Sequence, residues 1–320
     1  MTRRWFVSVS FGSLFMITPA VVLGQAGVLN SPQNKLQVGL LHWYTANQTT
    51  QFTVGSLPYG AAFDGANLWV SNRNGNSVTK LRVSDGRVFG TYNVGSGPWG
   101  VAFDGLNIWV ANSGANTITK LRGSDGTIIG TYNVGTYPMS VAFDGTNIWV
   151  TNFSSGTVSK LQASNGTLVA TYKSGPNPAG LAYDGNCMWI SNLYSNSVTK
   201  MAGNGQIVGT YATGSYPWGL AFDGTNIWVA DYGSNSVTKI LATSGATVGT
   251  YSVGTNPVGL AFDGANIWAA NFGSGTVTKV VAVTGAVQGS ISTGSGPIAV
   301  AFDGAMLWVV NSSTNSVSKL

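Results

Sequence analysis

One stretch decides the fold. It runs Gly100-Val101-Ala102-Phe103-Asp104-Gly105, then Asn107-Ile108-Trp109-Val110-Ala111-Asn112, then Thr117-Ile118-Thr119-Lys120-Leu121. After the turn Ser124-Asp125-Gly126 it closes with Ile128-Ile129-Gly130-Thr131-Tyr132-Asn133-Val134. Each run is short, β-branched and aromatic, and each is bounded by Gly, Asp or Asn. That pattern predicts four strands of about five to seven residues joined by tight turns. No window combines a 3.6-residue apolar period with helix formers and caps.

The unit recurs through the chain. A Phe/Tyr-Asp-Gly tripeptide places its Asp at 64, 104, 144, 184, 223, 263 and 303, at intervals of 40 residues with a single 39. Five residues after each Asp stands Trp69, Trp109, Trp149, Trp189, Trp228, Trp268 or Trp308. A four-stranded antiparallel unit of this period is a propeller blade, because a solenoid coil is shorter and a sandwich does not repeat seven times. Both faces of the strands carry apolar or small residues, as blades stacked between neighbours require. The fold class is therefore all-β: a seven-bladed β-propeller with four antiparallel strands per blade.

The two ends test this reading. The seventh copy stops at Leu320, the end of its third strand, and an orphan fourth strand, Gln51-Phe52-Thr53-Val54, precedes the first copy. If His42 directly followed Leu320, the Asp series would continue in step. The last blade should thus be closed by the N-terminal strand, which removes exposed sheet edges, with residues 42–47 as the turn entering it.

Three segments are expected: a secretory signal peptide over 1–26, a lead-in over 27–49 and the propeller over 50–320. Arg3 and Arg4 precede a mostly apolar run, and Gly24-Gln25-Ala26 supplies small residues for cleavage. Uncleaved, the run would be an anchor of nearly spanning length; after cleavage no membrane span remains. The expected location is secreted, periplasmic or at the cell surface, and the chain is expected to be a monomer. A lone buried Cys187, acting as a small hydrophobe, suits an oxidising compartment.

Composition excludes much chemistry. Only 8% of residues are charged; there are ten Asp and no Glu, one His and one Cys. Metal clusters, disulfide frameworks and His-based acid/base sets lack their residues. The net charge of +5 includes the two N-terminal arginines, and seven lysines recur once per repeat. Such dispersal argues against nucleic acid as a partner. The recurrent lysines Lys80, Lys120, Lys160, Lys200, Lys239, Lys279 and Lys319 are expected on a solvated outer rim. The recurrent Asp-Gly pairs are expected to be turn chemistry rather than metal ligands.

Units such as Val150-Thr151-Asn152-Phe153-Ser154-Ser155-Gly156-Thr157-Val158-Ser159-Lys160, with Gly175-Pro176-Asn177-Pro178-Ala179-Gly180 downstream, resemble the YVTN family of β-propeller repeats. Trp149 stands where that family has Tyr. The resemblance spans roughly residues 50–320 and touches NHL and streptogramin-lyase-like propellers. It implies architecture and no particular activity. The lyase-like branch would need His and Glu with a divalent metal near the central channel. No such set exists here, so no catalytic residue, metal or cofactor is expected.

Where the copies differ is more informative. The loops joining blades and those between second and third strands should share one face, and both vary. They carry Tyr59, Trp99, Tyr137, Tyr216 and Trp218 around the loop prolines. After the second strand they carry Arg73, Phe153, Tyr194, Tyr232 and Phe272. Asp231 replaces the Asn of every other copy. Aromatic and amide side chains suit a surface that stacks a flat ligand and hydrogen-bonds its edge. The leading expectation is an exported, non-enzymatic propeller that binds a glycan, peptide or protein of the cell envelope through these residues. A structural envelope or surface-layer component is the alternative.

Overall fold

The computed structural model describes residues 50–320; the expected signal peptide, the lead-in segment and His42 lie outside them. Seven four-stranded antiparallel sheets follow one another, each in simple sequential order except the last. Blade 2 is typical, with strands Pro98–Phe103, Asn107–Asn112, Thr117–Arg122 and Ile128–Asn133. Blade 7 comprises Pro297–Phe302, Leu307–Asn311 and Ser316–Lys319, and its outer strand is Gln51–Thr53. Phe52 lies opposite Val317, so the two parts of the chain complete one sheet as the repeat arithmetic requires. A single turn of 3-10 helix, Leu193–Ser195, is the helical element among the described residues.

The first strands surround the axis so closely that their backbones touch. A Cβ on Gly60 would collide with the Trp99 carbonyl oxygen, and one on Gly100 with that of Met139. Glycine is needed here for approach rather than for a turn. The core lies between blades. Trp69 is fully buried against Ile108, Val110 and Leu121 of the next blade, and six of the seven recurrent Trp are at most 1% exposed. Burial of such rings, five of them beside a Tyr of the fourth strand as in Trp109–Tyr132 at 5.8 Å and Trp308 beside Phe52, stabilises the contact between wedges.

The Asp-Gly turns do more than turn. Asp104 Oδ1 accepts from the Leu106 and Asn107 amides at 2.9 and 2.6 Å, while Oδ2 accepts from the Trp109 indole at 2.7 Å. The same indole bond recurs in all seven blades. Burial opposes the Asp64, Asp144, Asp223, Asp263 and Asp303 carboxylates, but these hydrogen bonds outweigh it and hold them below the usual carboxylate range.

The recurrent lysines are not on a solvated rim. Lys80, Lys120, Lys200 and Lys239 are buried. Lys120 Nζ lies 5.0 Å from the Trp109 ring centre and donates to the Ala163 and Ser164 carbonyls of the next blade at 2.7 and 3.0 Å. Across the closure, Lys319 donates to Val83. The physical reason is register. Trp109 stands directly opposite Lys120, and cross-strand partners project from the same sheet face, so whatever buries the Trp buries the Lys stem. Lys279 also lies over its Trp, at 5.5 Å, but faces blade 7, whose third and fourth strands no hairpin joins. It has no such carbonyl among the described residues.

Cys187 is buried as expected, and burial pushes its thiol above the usual range.

Candidate ligand-binding face

Loops of two kinds meet at one end of the propeller. The Ser113 and Gly114 amides, after the second strand of blade 2, donate to Gly97 and Ser96 in the loop entering that blade. Further hooks cross between blades: the side-chain oxygens of Asn76, Asn116, Asn196, Asn235 and Asn315 each accept the amide that precedes the next loop proline. That pre-proline residue is left-handed in every blade, as at Gly97, Asn177 and Asn256. Leu57, Tyr137 and Tyr216 hold the same conformation at φ 51°, 57° and 54° without being Gly or Asn. An aromatic residue is disfavoured there by roughly 1–2 kcal/mol, and strain of this kind gathers where a site requires it.

The residue after each proline points to the axis. Tyr59, Trp99, Met139, Ala179, Trp218, Val258 and Ile298 line a shallow apolar cavity of about 120 Å³. From there aromatic rings run outward and around the face. Tyr59 meets Trp99 at 4.3 Å; Trp99 meets Tyr137, Tyr137 meets Phe153, Phe153 meets Tyr194, and Tyr194 meets Tyr216, each near 6 Å. Trp218 and Tyr232 pair at 5.8 Å, and both pack with Phe272 against Val258 and Ile298. Tyr194 and Tyr216 are exposed, at 62% and 46%; the other rings are half-buried.

The structure therefore brings together Tyr59, Trp99, Tyr137, Phe153, Tyr194 and Tyr216 in one arc, and Trp218, Tyr232 and Phe272 in a second group that begins two residues beyond Tyr216. Arg73 joins the arc. Its guanidinium lies 4.6 Å from the Trp99 ring centre and 5.3 Å from that of Tyr59, and donates to the Tyr137 hydroxyl at 2.8 Å. Burial raises the Tyr59 hydroxyl's pKa, with the Arg73 charge partly offsetting it.

Asp231 lies elsewhere. It is fully buried beneath the face, where Asn72, Asn112, Asn152, Asn192, Asn271 and Asn311 stand in the other blades. Those amides donate to two hydroxyls of the third strand, as Asn72 does to Ser77 and Thr79. At Asp231 the donation reverses: Thr238 and Ser236 donate to Oδ2 at 2.6 and 3.3 Å, and Oδ1 has no partner. Burial pushes its pKa up to about 6, against the hydroxyl bonds. Of the axial residues, Met139, Ala179, Val258 and Ile298 lie outside the predicted set, because an aliphatic side chain after a loop proline carries no binding signal of its own.

Among the described residues no group of His, Cys, Asp and Glu could hold a metal ion, and no helix is long and apolar enough to cross a membrane.

Solved structures with this architecture were found. A protein described as Kuenenia stuttgartiensis hydrazine synthase superposes with a TM-score of 0.75 at 20% identity, covering 86% of this chain and 98% of that one. A catalytically inactive histidine-to-alanine variant of virginiamycin B lyase from Staphylococcus aureus with quinupristin gives 0.72 at 18% identity, covering 84% and 97%. The selenomethionine form of that lyase gives 0.71 at 18%, covering 86% and 96%. At such identities these likenesses carry the fold alone. No protein-family model matches the chain, and no curated protein sequence matches it.

Proposed function

We propose that this protein is an exported, non-enzymatic propeller of the YVTN type whose loop face captures a glycan or peptide partner at the cell envelope. The observation that carries the reading is the aromatic arc from Tyr59 to Tyr216 on the variable loop face. Rings half-exposed on a rigid scaffold can stack a ligand with little ordering entropy. The lyase neighbour is inactivated by loss of a histidine, whereas the one histidine of this chain is His42 and Glu is absent. The residues of the face therefore favour binding over lyase chemistry.

One feature favours the second reading, a structural envelope component. The outermost strands expose adjacent apolar pairs, Val88-Phe89, Ile128-Ile129, Leu168-Val169 and Ile207-Val208, and repeated exposed apolar surface marks contact sites. The test is capture of isolated envelope glycans and peptides by the wild type and by a Trp99→Ala/Trp218→Ala double variant. Loss of capture with an unchanged thermal midpoint supports the loop face. Unchanged capture removes it and leaves the rim.

A further inference from the structure

We propose, on the strength of the loop-face reading, that the ligand is an acidic glycan: a uronate-bearing oligosaccharide whose ring lies on Trp99 and Tyr59 while its carboxylate is held by Arg73.

The chain has ten acidic residues. Seven are the turn Asp residues of the opposite face, bonded to the Trp indoles. Asp85 and Asp125 pair with Arg82 and Arg122 in the turns between third and fourth strands. The tenth, Asp231, is buried among hydroxyls. None lies with Arg73, so its guanidinium is half-buried without a carboxylate partner. A cation so placed would ordinarily be paired or fully solvated. Here it is held in position instead: two aromatic rings flank it, the Tyr137 hydroxyl accepts one bond, and its own amide is tied to Leu57. The position is specific to blade 1, since its counterparts are Ser113, Phe153, Leu193, Tyr232, Phe272 and Ser312.

An oriented guanidinium with donors to spare is a carboxylate receptor, because its planar fork can meet both oxygens. One such cation near the axis suits a ligand bearing isolated single charges. A nucleic acid or polyphosphate would call for several cations along its path. The only other positive side chain at this end among the described residues, Lys173, is exposed on the outer strand of blade 3.

The face also argues for a sugar over an extended peptide. Peptide capture by strand addition needs an open sheet edge; here the innermost edge strands are crowded against one another at the axis and the outermost ones lie away from it. The axial cavity, of about 120 Å³, is lined mainly by apolar side chains such as Met139, Val258 and Ile298. A ligand that reaches Arg73 lies across the rings. A pyranose offers an apolar C–H face to an aromatic ring and hydroxyls to the surrounding Tyr and Asn groups, the mixed recognition such pockets use.

The test is calorimetry on the full chain with a defined oligouronate and the same oligosaccharide after carboxyl reduction. The reduced sugar is expected to bind about ten- to a hundredfold more weakly, the effect of losing a charged hydrogen-bonded pair. Arg73→Gln should weaken the oligouronate by a similar factor and bring its affinity close to that of the reduced sugar. Arg73→Lys should recover part of the loss, since charge survives without the fork. Tyr137→Phe, which frees the guanidinium without touching its charge, should reduce the preference for the oligouronate over the reduced sugar, and an unchanged thermal midpoint controls for misfolding. Equal affinity for the two sugars, or undiminished oligouronate binding by Arg73→Gln, overturns the proposal while leaving loop-face binding intact. Binding of an acidic peptide with no binding of the oligouronate overturns the choice of sugar. Binding of neither sugar also sinks it, and the Trp99/Trp218 capture experiment then judges the loop face separately.

Discussion

The two ends of this propeller are made from the same strands and obey different rules. At the Asp-Gly end, seven blades repeat one arrangement nearly atom for atom: carboxylate to indole, indole under ammonium, ammonium in most blades to the next wedge. At the loop end no two blades carry the same set of side chains, although the backbone hooks beneath them recur. A residue such as Asp104 serves two amides and an indole at once, so any replacement leaves several partners unmet. A residue such as Tyr194 rests on neighbouring rings and solvent. Uniformity at one end therefore marks what holds the ring together, and divergence at the other is what the proposed ligand-binding role requires.

The largest effect should come from breaking the uniform end. Trp228→Ala empties a fully buried site between Ile267 and Val280 and is expected to lower unfolding free energy by about 3–5 kcal/mol. Denaturant titration checks this. A loss below about 1 kcal/mol would mean that the indole is not what joins the wedges.

Asp231 comes next, because it is the place where the two ends meet within one residue type. Its pKa in the folded protein, about 6, lies above the ordinary 3.8. A group raised in this way contributes its stability below pH 3.8, and that contribution fades as pH rises and is gone above about 6. Asp231→Asn, the residue found in the other six blades, should therefore raise stability by up to roughly 3 kcal/mol above pH 6 and have little effect below pH 4. The turn Asp residues, held below their ordinary range, behave oppositely: their contribution is present above pH 3.8 and disappears as acid is added. Thermal midpoints of wild type and variant from pH 3.5 to 8 would expose both slopes, and a pH-independent difference would refute the assignment to Asp231.

The recurrent lysines sharpen the contrast further. Lys120→Met strands the Ala163 and Ser164 carbonyls and should cost about 1–3 kcal/mol. Lys279→Met, which abandons a ring but no carbonyl, should cost under about 1 kcal/mol. Equal losses from the two would show that the ammonium–carbonyl bond contributes nothing.

How much of this was legible beforehand follows the same division. The period of the Asp-Gly pairs, the complementary ends and the alternating apolar runs were enough for seven blades and for the closure by Phe52. Even the loop-face arc could be anticipated, since Tyr59, Trp99, Tyr137 and Phe153 occupy the variable positions. The lysines were misread because Lys is usually solvated, although the eleven-residue offset from Trp109 to Lys120 already implied pairing across a hairpin. The indole bond to Asp was missed because its five-residue spacing spans a turn whose geometry had to be known first. Arg73's isolation could not be read at all, for it depends on where each of the ten carboxylates folds.

The smallest effect on stability is expected at the loop face, and that smallness is itself the test. Tyr194 is 62% exposed and touches the rings of Phe153 and Tyr216 at about 6 Å. Its truncation to Ala should change unfolding free energy by no more than about 0.5 kcal/mol, the usual range for surface positions. Ligand capture should nevertheless fall, because the ring extends the stacking surface beyond the half-buried centre of the arc. If Tyr194→Ala destabilised the protein as much as the lysine variants do, the arc would be a clasp between blades 3, 4 and 5. The strained backbone at Tyr137 and Tyr216 would then serve packing, and the divergence of the loop end would need an explanation other than binding.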